Sequence, residues 1–164
     1  MKLSTKARYA VMAMVDLARE GGDNASSSLT VIAERQSLPL PYLEQLFLKL
    51  RRAELVKSAR GSNGGYMLMR SPAETNIYDI IVAVDTPMKA TRCNDHSLKG
   101  CHLNKTRCLT HNLWKGLEDV VQSYLKTVSL EDVCHKRTIA FSKEEDEVLF
   151  SRGDQQQWLH RGQN

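Results

Sequence analysis

Residues 29–69 read LTVIAERQSLPLPYLEQLFLKLRRAELVKSARGSNGGYMLM, and the fold is decided there. Leu29, Ile32 and Ala33 recur at helical spacing, which predicts a short helix from Leu29 to Gln36. Ser37-Leu38-Pro39 interrupts it. A second run, from Leu40 to Ala53, carries Leu43, Leu46, Phe47 and Leu50 on one side. Pro41 falls in its first turn, where a missing amide proton costs little. Two helices joined by so short a turn make a helix-turn-helix. Leu55-Val56-Lys57-Ser58-Ala59-Arg60 then alternates as a strand would, and Tyr66-Met67-Leu68-Met69 can pair with it. The glycines of Gly61-Ser62-Asn63-Gly64-Gly65 tolerate the positive φ angles of a hairpin turn. A helix-turn-helix followed at once by a hairpin is a winged helix.

Outward from this unit, Ser4 to Glu20 predicts a helix, with Tyr9, Met12, Ala13 and Leu17 on its apolar face. Ser4 or Thr5 caps its start, Gly21-Gly22 ends it, and Asp23 to Ser28 is a polar connector. Downstream, Asn76 caps a short helix with Asp79 in its first turn and Ile77, Ile80, Ile81 and Val84 inward. The longest helical pattern runs from about Leu109 to Thr127, roughly 28 Å at 1.5 Å per residue. Its stripe of Leu109, Leu113, Leu117, Val120, Val121, Tyr124 and Leu125 is too wide for a small winged-helix body to cover, so packing on a twin in a homodimer is expected. The expected fold class is mainly α: a winged helix-turn-helix with a two-stranded β wing and a long C-terminal dimerisation helix. The expected division is a DNA-binding domain over 1–86, a ligand-binding loop over 87–108, a dimerisation helix over 109–136 and a patternless, disordered tail over 137–164.

Composition narrows the function. The chain has 164 residues, 41% hydrophobic and 26% charged, as soluble globular proteins do. No apolar run is long enough to span a membrane, and the opening residues, broken by Lys2, Lys6, Arg8, Asp16 and Arg19, do not form a signal peptide. A cytoplasmic, reducing location is therefore expected, in which Cys93, Cys101, Cys108 and Cys134 are not disulfides. The net charge of +4 is uneven: residues 1–70 hold 11 Lys/Arg against 6 Asp/Glu, whereas residues 71–136 hold 8 of each. A basic first half suits a polyanion partner, although a solvated basic face gives the same count. No nucleophile–base pair or phosphate-cradling glycine loop is present, which argues against an enzyme.

Pro87 to Arg107 lacks apolar periodicity and is rich in metal-binding side chains. The spacing is Cys93-x7-Cys101-x6-Cys108-x2-His111. A long helix beginning near Cys108 would place Cys108 and His111 on one face of its first turn, where the helix dipole favours a thiolate. Three thiolates and an imidazole suit tetrahedral zinc or an iron–sulfur cluster; the single tight pair tilts toward a cluster. His96 and His102 are competing ligands, and Cys134 reads as a buried or idle thiol.

The chain also resembles the IscR family of bacterial winged-helix transcription factors, regulators tied to iron–sulfur clusters. The resemblance covers about residues 1–135. It rests on Leu3-Ser-Thr-Lys-Ala-Arg-Tyr-Ala-Val-Met-Ala-Met, Tyr42-Leu-Glu-Gln-Leu-Phe, Leu55-Val, Arg60-Gly, Gly64-Gly65-Tyr66, Ala83-Val-Asp, Ala90-Thr-Arg-Cys93 and Cys108-Leu-Thr-His111. It implies a homodimer that binds promoter DNA and holds a [2Fe–2S] cluster through Cys93, Cys101, Cys108 and His111, supplied by the cluster assembly machinery. It further implies repression of cluster-assembly genes, with occupancy as the signal. Sensing of iron, oxygen or nitric oxide, or a zinc-stabilised repressor without sensing, are the alternatives. The matching DNA-facing positions are Tyr42, Glu44, Gln45 and Arg60. Lys6, Arg8, Lys49, Arg51 and Arg52 are candidates for phosphate contact. The intervals between ligands are longer than the family's, and Pro39 and Pro41 stand where relatives carry serines, so no side-chain hydroxyl can cap the recognition helix there.

Overall fold

The computed structural model describes residues 3–21, 26–60, 64–85, 101 and 106–137. Readings placed on Cys93, His96, His102, the tip of the wing, most of the 87–108 loop and the tail beyond Arg137 lie outside the described residues. The described elements run α1 (Thr5–Gly21), α2 (Leu29–Gln36), α3 (Leu40–Arg52), β1 (Val56–Ala59), β2 (Gly65–Leu68), a 3-10 turn (Pro72–Glu74), α4 (Ile77–Val84), α5 (His111–Thr127) and α6 (Leu130–Cys134). They form a mainly helical winged helix with one two-stranded antiparallel sheet.

Local chemistry sets most boundaries. The Ser4 hydroxyl accepts from the Ala7 amide at 3.1 Å and starts α1. Ser28 does the same for α2 at 3.3 Å, and Ser37, at φ 52°, ends that helix in the left-handed region. Asn76 caps α4 through the Asp79 amide at 2.8 Å. Pro39 stands at the N-cap of α3 and makes no side-chain cap hydrogen bond, the loss expected from its sequence.

One core joins α1 to α4 and α6. Met14, Leu17, Ile32, Leu43, Phe47 and Ile80 are fully buried in it. The buried Asp16 carboxylate of α1 accepts from the Arg35 guanidinium, at 2.6 Å at the closest, and from Gln36 Nε2 at 2.8 Å, tying α1 to the end of α2. In the wing, Val56 pairs with Leu68 and Ala59 with Gly65. The hairpin does not hang free. Ser27, in the connector read as merely polar, exchanges both backbone hydrogen bonds with Tyr66, at 3.0 and 2.9 Å. A Cβ on Gly65 would lie 2.3 Å from the Ser27 carbonyl oxygen, so glycine is needed here for close backbone approach.

The C-terminal part differs from expectation in two respects. The helix expected from about Leu109 to Thr127 runs from His111 to Thr127, and residues 109–110 form a turn, so Cys108 stands before the helix and not in its first turn. The segment 109–136 is also two helices, separated at Val128. Ser129 and Asp132 make a reciprocal capping box that starts α6. The Ser129 hydroxyl and amide hold the Asp132 carboxyl below its usual range, so this cap stabilises above about pH 3.8 and is lost as acid titrates the folded-state carboxylate. Leu130 is fully buried in the winged-helix core, and Cys134, half-buried on α6, lies 3.8 Å from the Val15 carbonyl, with its thiol pushed up chiefly by burial. The core thus closes only with residues 128–134.

Two substitutions test these contacts. Leu130→Ala is expected to destabilise the whole body by about 2–5 kcal/mol, as a core truncation does, read as a lower urea midpoint. Gly65→Ala forces the Ser27 strand away from the wing and should cost about 1–3 kcal/mol. Rapid amide exchange at Tyr66, with the rest of the body still protected, is its expected signature.

Candidate nucleic-acid interface and metal-ligand loop

The exposed side of α3 follows from its buried side. With Leu43, Leu46, Phe47 and Leu50 inward, Pro41, Glu44, Gln45 and Leu48 project outward at helical spacing. Glu44 and Gln45 are exposed, as a base-reading pair must be. Glutamine matches the donor–acceptor edge of adenine, and glutamate accepts from the amino group of cytosine. Leu48, 39% exposed, was missed by sequence reasoning because it looks like one more core leucine; on this face it suits a thymine methyl. Tyr42 is half-buried: its ring meets Tyr9 edge-on, at 5.7 Å and 83°, so it braces α3 against α1 as well as bordering the reading face.

The wing and the helix ends supply the cations. Arg60, exposed, follows β1 at the entrance to the wing turn, and Lys57 within β1 is exposed as well. Lys6 and Arg8 are exposed near the start of α1, and Arg51 and Arg52 at the end of α3. Lys49 is engaged within the fold: its ammonium donates to the Val84 carbonyl at 2.9 Å, capping the negative end of α4. Phe47 meets Tyr66 at 4.9 Å, which sets the wing relative to the recognition helix.

The ligand residues are partly assembled. Cys101 Sγ lies 3.4 Å from His111 Nδ1 at the start of α5. The Cys101 amide donates to the Thr106 carbonyl at 2.8 Å, and the His111 amide to the Cys108 carbonyl at 3.1 Å. Cys108 Sγ lies 3.6 Å from the Thr110 hydroxyl. Cys108 therefore reaches His111 through a turn, not along a helix face. Cys101, Cys108 and His111 are all half-buried. Among the described residues no group of three or more His, Cys, Asp or Glu side chains is gathered as a metal site. The donor chemistry nevertheless fits a soft centre: sulfur and imidazole suit iron–sulfur or zinc, and not magnesium or calcium.

The comparisons with known proteins agree with this anatomy. The family profile described as "Rrf2: Iron-dependent Transcriptional regulator" matches residues 3–136. The chain belongs to the Rrf2 family. It is 42% identical over 139 residues to the HTH-type transcriptional regulator IscR of Photorhabdus laumondii, covering 85% of this chain and 82% of that one. To IscR of Aliivibrio salmonicida it is 47% identical over 133 residues, covering 81% and 77%. Among solved structures it resembles IscR of T. potens, at 36% identity and a TM-score of 0.66 over 88% of this chain and 96% of that one. It also resembles CymR, the global cysteine regulator of B. subtilis, at 33% identity and a TM-score of 0.69 over 84% and 99%. The resemblance to IscR read from the sequence is thus confirmed, and the chain is an HTH transcriptional regulator, not an enzyme. No helix among the described residues is long and apolar enough to cross a membrane.

The two kinds of contact separate experimentally. Gln45→Ala is expected to relax preference at one base pair by about 1–3 kcal/mol. Arg52→Ala should weaken binding to all duplexes alike and lower the salt slope by about one. Binding to a set of single-base operator variants checks both; equal losses on every sequence for Gln45→Ala would refute its assignment.

Proposed function

We propose that this regulator is a homodimeric, cytoplasmic repressor of iron–sulfur cluster assembly genes that senses [2Fe–2S] occupancy through Cys93, Cys101, Cys108 and His111. The observation that carries the reading is the 3.4 Å approach of Cys101 Sγ to His111 Nδ1 at the root of α5, in a chain 42–47% identical to two IscR proteins. CymR, a cysteine regulator, has the same fold, so the signal must be read from the ligand residues and not from the architecture.

Each residue has a physical task. Cys101 and Cys108, as thiolates, supply soft negative donors. His111 supplies a neutral one, protonatable and therefore the easier to lose. A bound [2Fe–2S] group would contribute a redox-sensitive tie between the 87–108 loop and the helix. His111 opens α5 and Cys101 belongs to the loop, so ligation joins a segment that enters the helix to the helix itself. The cluster assembly machinery would be the donor. On the DNA side, Tyr42, Glu44 and Gln45 face the major groove, Arg60 a phosphate or narrow minor groove, and Lys6, Arg8 and Arg52 the backbone.

The dimer rests on α5. None of its residues is fully buried, and Leu113, Trp114, Leu117 and Val120 are exposed, Leu113 at 64%, with Leu109 of the preceding turn exposed at 97%. Tyr124 and Leu125 pack against the body instead, and Val121 is half-buried. A solvent-facing stripe of this kind on a 17-residue helix is suited to a second α5 across a two-fold axis.

Anaerobically purified protein is expected to be coloured, with iron and acid-labile sulfide in equal amounts. Colourless protein with one zinc per chain would replace sensing with a structural zinc. His111→Ala should lose the colour faster in air. Apo and holo protein should differ in affinity for at least one promoter class, and identical affinities everywhere would end the sensing reading. Leu113→Glu with Leu117→Glu should yield monomers by sedimentation while leaving the far-ultraviolet spectrum helical.

A further inference from the structure

Between the C-terminal turn of α3 and the outer side of α4 runs a groove with two chambers, about 510 and 350 Å³, which share Ala53 and Ala83. Lys6, Lys49 and Arg52 line the larger chamber, while Leu55, Val82 and Arg70 line the smaller. Four cations thus face two carboxylates. Asp79 accepts from Asn76 Nδ2 at 3.0 Å, and Asp85 has a partner of its own. Val82 is 36% exposed although α4 is otherwise strongly apolar. The groove is basic at one end and mixed at the other, where exposed Val82 and Ala53 stand with Arg70 and Asp79 above a buried Leu55, and neither Glu44 nor Gln45 is among its described lining residues.

The chain beyond Arg137 carries the complementary pattern. Glu144-Glu145-Asp146-Glu147 is followed directly by Val148-Leu149-Phe150. Reach is ample. Cys134 lies beside Val15, and Lys6 is nine residues further toward the start of the same helix, about 14 Å along its axis. From Arg137, which is held to the Asp132 carbonyl, the seven residues to Glu144 can span up to about 23 Å.

We propose that residues 144–150 dock in cis in this groove, with the four carboxylates against Lys6, Lys49 and Arg52 and with Val148 to Phe150 over Ala53 and Val82. The docked segment masks two of the phosphate contacts proposed above, Lys6 and Arg52, so it competes with duplex DNA for them. Docking itself rests only on the groove and the segment; the competition also rests on the DNA-binding reading. The attraction is between largely exposed charges and therefore weakens as salt rises.

The test is site-specific photocrosslinking in the full-length holoprotein, with p-benzoylphenylalanine in place of Phe150. The expected product is an intrachain crosslink to peptides containing Ala53 or Val82. It should fade with added salt and be lost when residues 144–147 are changed to their amides. A crosslink between two chains, one to α5, or none at all would overturn docking in cis. In a separate arm, the four-amide variant should bind non-operator duplex several-fold more tightly at low ionic strength. Unchanged affinity would overturn the competition, whereas loss of DNA binding by the unmodified chain would strike the functional reading and leave the crosslink result standing.

Discussion

Two backbone hydrogen bonds hold the regulator together as one body. The Ile77 amide donates to the Val128 carbonyl and the Leu130 amide to the Thr75 carbonyl, each at 2.9 Å, so the chain leaving α5 pairs antiparallel with the chain entering α4. Thr75 is almost fully buried at this crossing, and its hydroxyl donates to the Ser71 carbonyl at 3.1 Å. Buried amides and carbonyls need partners, and this short pairing provides them where neither helix can. It also fixes the C-terminal end of α5. Tyr78 of α4 adds two side-chain ties, a 3.5 Å hydrogen bond to Gln122 and the Lys126 ammonium 4.8 Å from its ring centre.

His111 stands 16 residues before Thr127, about 24 Å along the axis, at the N-terminal end of α5. The same α4 that receives the fixed end is capped at its other end by Lys49 of the recognition helix. His111, the pairing at Val128 and α3 are therefore connected through α5 and α4. That contiguity is a physical route for coupling, and it requires no contact between the ligand residues and DNA.

Much of this anatomy was legible in the sequence. The boundaries of α2 follow from apolar spacing and the start of α4 from Asn76 as cap, and all four residues expected inside α3 are buried, whereas Ser28, read only as connector, proves to cap α2. What escaped has no periodic signature. The Ser27–Tyr66 pairing is one residue in a polar connector, and nothing in a single bridge distinguishes it from a loop. Lys49 looks like any other cation of a DNA-binding surface, because its carbonyl partner is remote in sequence. The break between α5 and α6 did leave a trace in Ser129-x-x-Asp132, a helix-start pattern in mid-run, but the long stripe of leucines and valines outweighed it. The ligand set was readable as chemistry and only partly as geometry: Cys101 and His111 meet, Cys108 arrives by a turn, and Cys93 lies outside the described residues.

The fold and the signal are therefore written in different kinds of residue. The winged helix is specified by buried aliphatic side chains and a handful of caps, which is why relatives at 31–36% identity, cysteine regulators among them, share it. No core residue can say what is sensed, since a buried leucine meets only other hydrocarbons. Recognition of the signal needs side chains that exchange protons or bind metals, and outside the α6 thiol such cysteines occur only between positions 93 and 108. Those residues stand just before α5, whose apolar face the body leaves uncovered. On the proposed reading, a change at Cys101 would act on α5 through His111, and α4 links α5 to the recognition helix.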